Sequence, residues 1–152
     1  MLWDAVRRDQ APKLVVIDEA WKVMRQSSGA DFIEELARSA RHYHAGLHLA
    51  TQDIVEFLRS DYGESIVKQC DLRVLLVQTP EAADALARYF DLTPAERRAL
   101  LHARPGEGLL FVGHSHAAFS SIITDREYAV LATRPADLPA TTTDQGPAIR
   151  DP

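Results

Sequence analysis

Short apolar runs alternate with longer amphipathic stretches along this chain, and the two rhythms together predict an α/β fold. Leu14-Val15-Val16-Ile17 is a continuous apolar run rich in β-branched residues, following Pro12-Lys13. Such a run predicts a strand buried on both faces, the kind found inside parallel sheets. Residues 31–44 switch to a helical period. Phe32, Ile33, Leu36, Ala37, Ala40 and Tyr43 fall on one face, and Glu34, Glu35, Arg38, Arg41 and His42 on the other. Gly46 supplies a helix stop, and Leu47–Thr51 predicts a second strand ending at Gln52. Strand, helix and strand across residues 14–51 form a βαβ unit, which implies parallel pairing.

The flanking pattern extends this plan. The first dozen residues, with Trp3 and Val6, read as the tail of a helix. Ala20–Met24 predicts a short helical turn, broken by Ser27-Ser28-Gly29. Residues 53–69 predict a helix interrupted near Tyr62-Gly63. Leu72–Val77 predicts a third strand, and Thr79-Pro80 opens a helix over Glu81–Phe90. Thr93-Pro94-Ala95-Glu96 has the form of a capping box with proline at the first helical position, starting a helix that runs to about Ala103. After the Pro105-Gly106-Glu107-Gly108 turn, Leu109–Val112 and Phe119–Thr124 predict an edge hairpin, joined by Gly113-His114-Ser115-His116. Asp125–Thr133 predicts a last short helix. The expected architecture is a mainly parallel sheet flanked by helices, with an antiparallel hairpin at one edge. Residues 1–134 form the expected domain, and the proline- and threonine-rich residues 135–152 an expected disordered tail.

Composition narrows the function classes. At 152 residues the chain can form one domain with a sizeable core. A net charge of −5 argues against a broad nucleic-acid-binding surface, leaving room for a narrow basic pore. The single cysteine, Cys70, excludes an internal disulfide and suits a reducing compartment. No apolar stretch approaches the roughly 20 residues needed to span a bilayer, and the N-terminus lacks a secretory pattern. The expected location is cytoplasmic, at most peripheral at the inner face of the cell membrane.

Candidate chemistry concentrates at Asp18-Glu19. A buried parallel strand delivers its last residues to the carboxyl edge of the sheet, where open α/β folds bind ligands. The pattern has the form of a Walker B element. Asp18 would hold Mg²⁺, directly or through water, and Glu19 would polarise the attacking water of a nucleotide hydrolysis. A core strand ending in a solvated acid pair explains the same residues. Thr51-Gln52 ends the next strand, and its side-chain amide suits a water or a γ-phosphate oxygen, or simply caps the following segment. Arg38 and Arg41 share the polar helix face as candidate arginine fingers. Glu34, four residues before Arg38, offers that arginine an ordinary surface pair worth about 0.3–0.5 kcal/mol.

Other motifs fail. Gly113-His114-Ser115-His116-Ala117 imitates a nucleophile elbow, yet a β-branched stretch follows it and no histidine comes after His116. His42 and His44 point roughly 200° apart on a helix and cannot share one ion. Cys70 reads as a small buried hydrophobe. The chain also lacks G-x-x-x-x-G-K-[ST]: its lysines are Lys13, Lys22 and Lys68, and none follows a glycine. A triphosphate cradle is therefore absent.

Taken together, KLVVIDEAWKVM, FIEELARSARHYHAG, LATQD and RPGEGLLFVG resemble the C-terminal half of the ATPase domain in type IV secretion and conjugative-transfer ATPases, RecA-like motors of the HerA–FtsK superfamily. The resemblance runs from about Lys13 to about Leu131. It implies ATP and Mg²⁺ as cofactors, with Asp18 assisting the metal, through water, and Glu19 activating the hydrolytic water. It implies Gln52 as a γ-phosphate sensor and Arg41, then Arg38, as the trans-acting arginine. Arg104 lies near the nucleotide or the subunit interface on the same reading. It further implies a homo-oligomer, a hexameric ring in the intact protein, working with other type IV secretion components on a DNA or protein substrate. The chain departs from the family in lacking the Walker A half and the preceding N-terminal domain. Met1 is then an internal start, a cloning boundary or the relic of a truncated gene. Two rivals remain: a DNA-translocating motor of the same superfamily, and a non-catalytic oligomerisation or docking module. The isolated chain is expected to be inactive.

Overall fold

Two short strands in parallel organise the computed structural model: β1 (Lys13–Ile17) and β2 (Ala45–Leu49), in register from Lys13 opposite Ala45 to Ile17 opposite Leu49. The βαβ pairing expected from the sequence is present. The structure describes residues 2–8, 11–124, 126, 127 and 130. α1 (Leu2–Arg8) and a helix over Ser27–Ser39 cover one face of the pair, where Val6, Leu36, Ala40 and Ala45 are buried with Val15 and Ile17 against them. The opposite face is bare. Leu14 is 67% and Val16 59% exposed, so the expectation of a strand buried on both faces is corrected. The apolar run satisfies the pattern of a central strand, but among the described residues nothing packs over its even-numbered side chains.

Between the strands lie α2 (Ala20–Met24) and α3 (Ser27–Ser39). The expected break at Ser27-Ser28-Gly29 falls instead at Arg25-Gln26, and the two serines and the glycine form the first turn of α3. Gln26 is extended (φ −104°, ψ 128°) and precedes the helix as its cap residue. Gly29 belongs there for a packing reason: a Cβ at this position would lie 2.3 Å from the Val23 carbonyl oxygen. This close approach seats Ala30 and Ile33 with Ala20, Met24, Phe57 and Ile66 in the first core. α3 tightens into a 3₁₀ turn over Ala40–Tyr43, and His44, left-handed at φ 51°, ends it. Gly46 is thus not the stop; it lies inside β2, opposite Leu14.

α4 (Ile54–Arg59) and α5 (Gly63–Gln69) follow, with the interruption where the sequence placed it. β3 (Leu72–Leu75), α6 (Pro80–Phe90), α7 (Pro94–His102), β4 (Glu107–Val112) and β5 (Ser115–Ser120) complete the plan. β3, β4 and β5 form a separate antiparallel sheet in that order. Parallel pairing is therefore confined to β1 and β2. Leu75, Leu86, Leu100, Leu109 and Phe111 make the second core beneath α6 and α7. The hairpin strand β5 begins at Ser115, not at Phe119. A two-residue turn, Gly113-His114, with Gly113 at φ 58°, sets Val112 opposite Ser115, and turn geometry fixes the register.

The capping box is formed at α7. The Glu96 N–H donates to Thr93 Oγ1 (3.3 Å), and the Thr93 N–H donates to Glu96 Oε2 (2.8 Å). The second Glu96 oxygen lies 2.6 Å from His116 Nε2 on β5. Hydrogen bonds from Thr93, followed by those from His116, hold the Glu96 carboxyl below its ordinary value.

Residues 121–152 form a unit of their own. Within it the Thr124 N–H donates to Glu127 Oε2 (2.8 Å), and Arg126, Glu127 and Val130 are helical. The rest of the expected Asp125–Thr133 helix and the expected tail over 135–152 lie outside the described residues. Among the described residues no helix is long and apolar enough to cross a membrane.

Two outcomes test this packing. Ile33→Ala should lower the unfolding free energy by about 2–5 kcal/mol in urea melts, whereas Leu14→Ala should lower it by less than about 0.5 kcal/mol. Equal losses would show the bare face to be covered. A depressed folded-state pKa at Glu96 stabilises above the unfolded value near 4.5, and that stabilisation disappears as pH falls through the folded value. Glu96→Gln should therefore weaken the chain at pH 7 and flatten the fall of the urea midpoint below pH 4.5.

Candidate active site

β1 and β2 end level with each other, and the hydrogen-bond pattern continues one step beyond them. The Ala50 N–H donates to the Ile17 carbonyl and the Ala20 N–H to the Ala50 carbonyl, both at 2.9 Å. Residues 18–19 and 51–52 therefore leave the sheet at one edge. Asp18 is exposed, and its Oδ1 accepts the Glu19 N–H at 2.8 Å. Glu19 then adopts a left-handed backbone conformation (φ 52°, ψ 44°) at the entry to α2. For a residue with a Cβ this conformation costs on the order of 1 kcal/mol, and such strain gathers at functional positions.

The strained turn sends the Glu19 carboxylate between two donors. Gln52 Nε2 donates to Glu19 Oε1 at 2.7 Å, across 33 residues of sequence. Trp21 Nε1 donates to Glu19 Oε2 at 2.6 Å. Gln52 is held in place by its neighbours: the Thr51 hydroxyl donates to the Asp53 carbonyl (3.3 Å), and Asp53 caps α4 by accepting the Glu56 N–H (2.9 Å). The three side chains open onto a cleft of about 440 Å³ that Arg59, Thr79 and Glu81 also line.

The structure brings together Asp18, Glu19 and Gln52 and leaves three other sequence candidates apart. Arg38, exposed on α3, pairs with Glu34 at 2.6 Å. Arg41 is exposed on the 3₁₀ turn after α3. Arg104 lies in the turn before β4, its N–H donating to Glu107 Oε2 at 2.9 Å. None of these arginines lines the cleft. The sequence reading missed Trp21, Arg59 and Thr79. Trp21 stands two residues after Glu19, but its contact depends on the left-handed turn, which an ordinary Glu does not announce. Arg59 and Thr79 meet the cleft only through the packing of α4 and α6.

These side chains fit one side of a nucleotide site. An exposed aspartate, a glutamate with fixed oxygens and a side-chain amide suit a hydrated divalent cation and a water. They do not supply a phosphate cradle. Arg59, the cleft's basic residue, pairs with Glu56 at 3.9 Å.

Comparison with known proteins places the chain. The family model described as the TraG P-loop domain matches residues 4–104, more than half of its length. The chain belongs to this family. The TraG P-loop match takes in β1, β2 and every cleft residue, and it ends before β4. The type IV secretion system protein CagE of Helicobacter pylori is 35% identical over 60 residues, which is 40% of this chain and 6% of CagE. The solved structure of VirB4 of Thermoanaerobacter pseudethanolicus superposes with a TM-score of 0.76 at 24% identity, covering 83% of this chain and 35% of VirB4. That match gives the fold: a P-loop ATPase fold, with both a parallel and an antiparallel sheet here. The chain spans only a small part of either relative.

The left-handed turn makes its own prediction. At position 19 glycine should be more stable than alanine by about 1 kcal/mol, reversing the usual order, because only alanine pays for the positive φ. Urea melts of Glu19→Gly and Glu19→Ala measure the difference. Alanine equal or superior would mean that the turn is not left-handed in solution.

Proposed function

We propose that this chain supplies the metal-and-water side of the ATP-hydrolysis site in a type IV secretion or conjugative-transfer ATPase. The observation that carries the reading is the Glu19 carboxylate, held by Gln52 from the neighbouring strand at the carboxyl edge of a parallel pair. Membership of the TraG P-loop family supports nucleotide as the ligand. Mg²⁺, when bound, would neutralise phosphate charge, and Asp18 would hold it through water. Glu19 accepts the proton of the attacking water. The Gln52 amide, both donor and acceptor, holds Glu19 on one side and orients that water or a terminal phosphate oxygen on the other. The phosphate-binding N–H groups and lysine come from residues this chain does not contain.

On the same reading Arg41 is the first choice for an arginine reaching a neighbouring subunit's nucleotide. Arg38 comes second, because its pairing with Glu34 must first be given up. Arg104, a weaker candidate, takes a place near the nucleotide or the subunit interface. The working form is a homo-oligomeric, hexameric ring at the cytoplasmic face of the membrane, with other type IV secretion components as partners and DNA or protein as substrate. If DNA is translocated, the full-length protein should hydrolyse ATP faster in its presence.

One observation favours a second reading. Leu14 and Val16 present a bare apolar face beside the site, as a module that docks on intact ATPase subunits would. Docking of that kind should survive Asp18→Ala and Glu19→Ala, which the catalytic reading does not require.

The division of the site predicts negligible ATP turnover by the isolated chain, read as phosphate release with and without Mg²⁺. Saturable, Mg²⁺-dependent hydrolysis that Glu19→Gln abolishes would overturn it, since the cradle would then have to lie within these residues.

A further inference from the structure

We propose that Trp21 is a positioning residue for the Glu19 carboxylate, an inference that rests on the general-base reading of Glu19 given above. Glu19 stands at an exposed strand end on a side chain with three rotatable bonds. Left alone, such a carboxylate samples many orientations, and a base must stay within hydrogen-bond reach of its water. Two donors prevent that sampling. Gln52 takes Oε1 and Trp21 takes Oε2, and fixing both oxygens fixes the plane of the group.

The two donors differ in stiffness. Gln52 is exposed and long, and its amide can turn. Trp21 is half-buried, packs against the first core beside Ala20, Met24 and Phe57, and lies near two cations. Lys22 Nζ is 5.6 Å and Arg25 Cζ 5.9 Å from its ring centroid. A ring held this way has two torsions and little freedom in either, so its N–H is the fixed arm of the clamp.

Indole chemistry suits this task. The Nε1–H donates and never accepts, so it cannot take the proton that Glu19 removes from water. Its bond to a carboxylate oxygen is charge-assisted, which strengthens its hold on the group. The short spacing of two residues works only because Glu19 is left-handed, which turns its side chain back over the first turn of α2. The strain at Glu19 and the Trp21 bond are thus parts of one device.

Two experiments test the proposal. With ¹⁵N-labelled tryptophan, the chain gives indole signals from Trp3 and Trp21, assigned with Trp3→Phe. At pH 7 the Trp21 indole proton, bonded to a carboxylate oxygen, should resonate further downfield in the unsubstituted chain than in Glu19→Gln, while the Trp3 signal stays in place. An indole signal indifferent to Glu19→Gln overturns the proposal. In the intact ATPase, where this segment meets a phosphate-binding half, Trp21→Phe keeps an aromatic ring and loses the N–H. It should lower kcat about tenfold and leave KM within about twofold. Wild-type kcat in Trp21→Phe, with Glu19→Gln inactive, sinks the positioning role and leaves Glu19 as the base. Full turnover in Glu19→Gln sinks the general-base reading and the positioning role with it.

Discussion

The pairing of β1 with β2 is the constraint on which the rest depends. Five residues of each strand lie in register, and the ladder runs on through Ile17, Ala50 and Ala20. Strands without a one-to-one register could not set Glu19 and Gln52 at hydrogen-bonding distance across 33 residues of intervening chain. α3 and the 3₁₀ turn after it maintain the pairing from one side, with Leu36 and Ala40 packed on Val15, Ile17 and Leu47. The candidate site is a by-product of this register.

The same pairing explains the uneven burial. Successive side chains on a strand point to opposite faces, so Val15 and Ile17 enter the core while Leu14 and Val16 face away. In the second sheet, too, Leu72 and Val74 face outward while Leu75 is buried. Alternation of this kind in a strand with polar outer residues would mark an ordinary solvated face. Here the outer residues are leucine and valine, so composition and environment disagree in each of the two sheets. Local propensity satisfied without burial is the mark of a surface meant to be covered.

Much of this was legible in the residues. Asp18-Glu19 after an apolar run, Gln52 after the second strand, and Thr93 with Glu96 were each visible because local chemistry decides them: strand patterning in the first two, reciprocal capping in the third. The misreadings share one physical cause. Gly46 looked like a helix stop and Ser27-Ser28-Gly29 like a break, because glycine and serine usually act through the backbone. In this chain Gly29 answers to the approach of Val23, and His44 takes the left-handed turn. The hairpin differs for a related reason: residues 119–124 carry the apolar content, yet the two-residue turn Gly113-His114 decides the register. Burial on both faces of β1 was inferred from the run itself, and a run records what a strand is built to meet, not what meets it here.

Bare faces and a half-furnished site belong together on the proposed reading. The cleft takes Glu19 and Gln52 from the end of the parallel pair, and Thr79 and Glu81 from the segment after β3. β2 and β3 are not hydrogen-bonded to each other. A nucleotide placed in this cleft would find four acidic side chains (Glu19, Asp53, Glu56 and Glu81), an amide and one arginine already engaged with Glu56, which leaves its phosphate charge poorly matched. The missing donors must therefore come on a segment that also approaches these strands. Such a segment would gain burial against the exposed leucines and valines in the same step that brings its N–H groups to the phosphates. Folding energy and phosphate recognition would then be coupled, so that a subunit lacking its cover also lacks its activity.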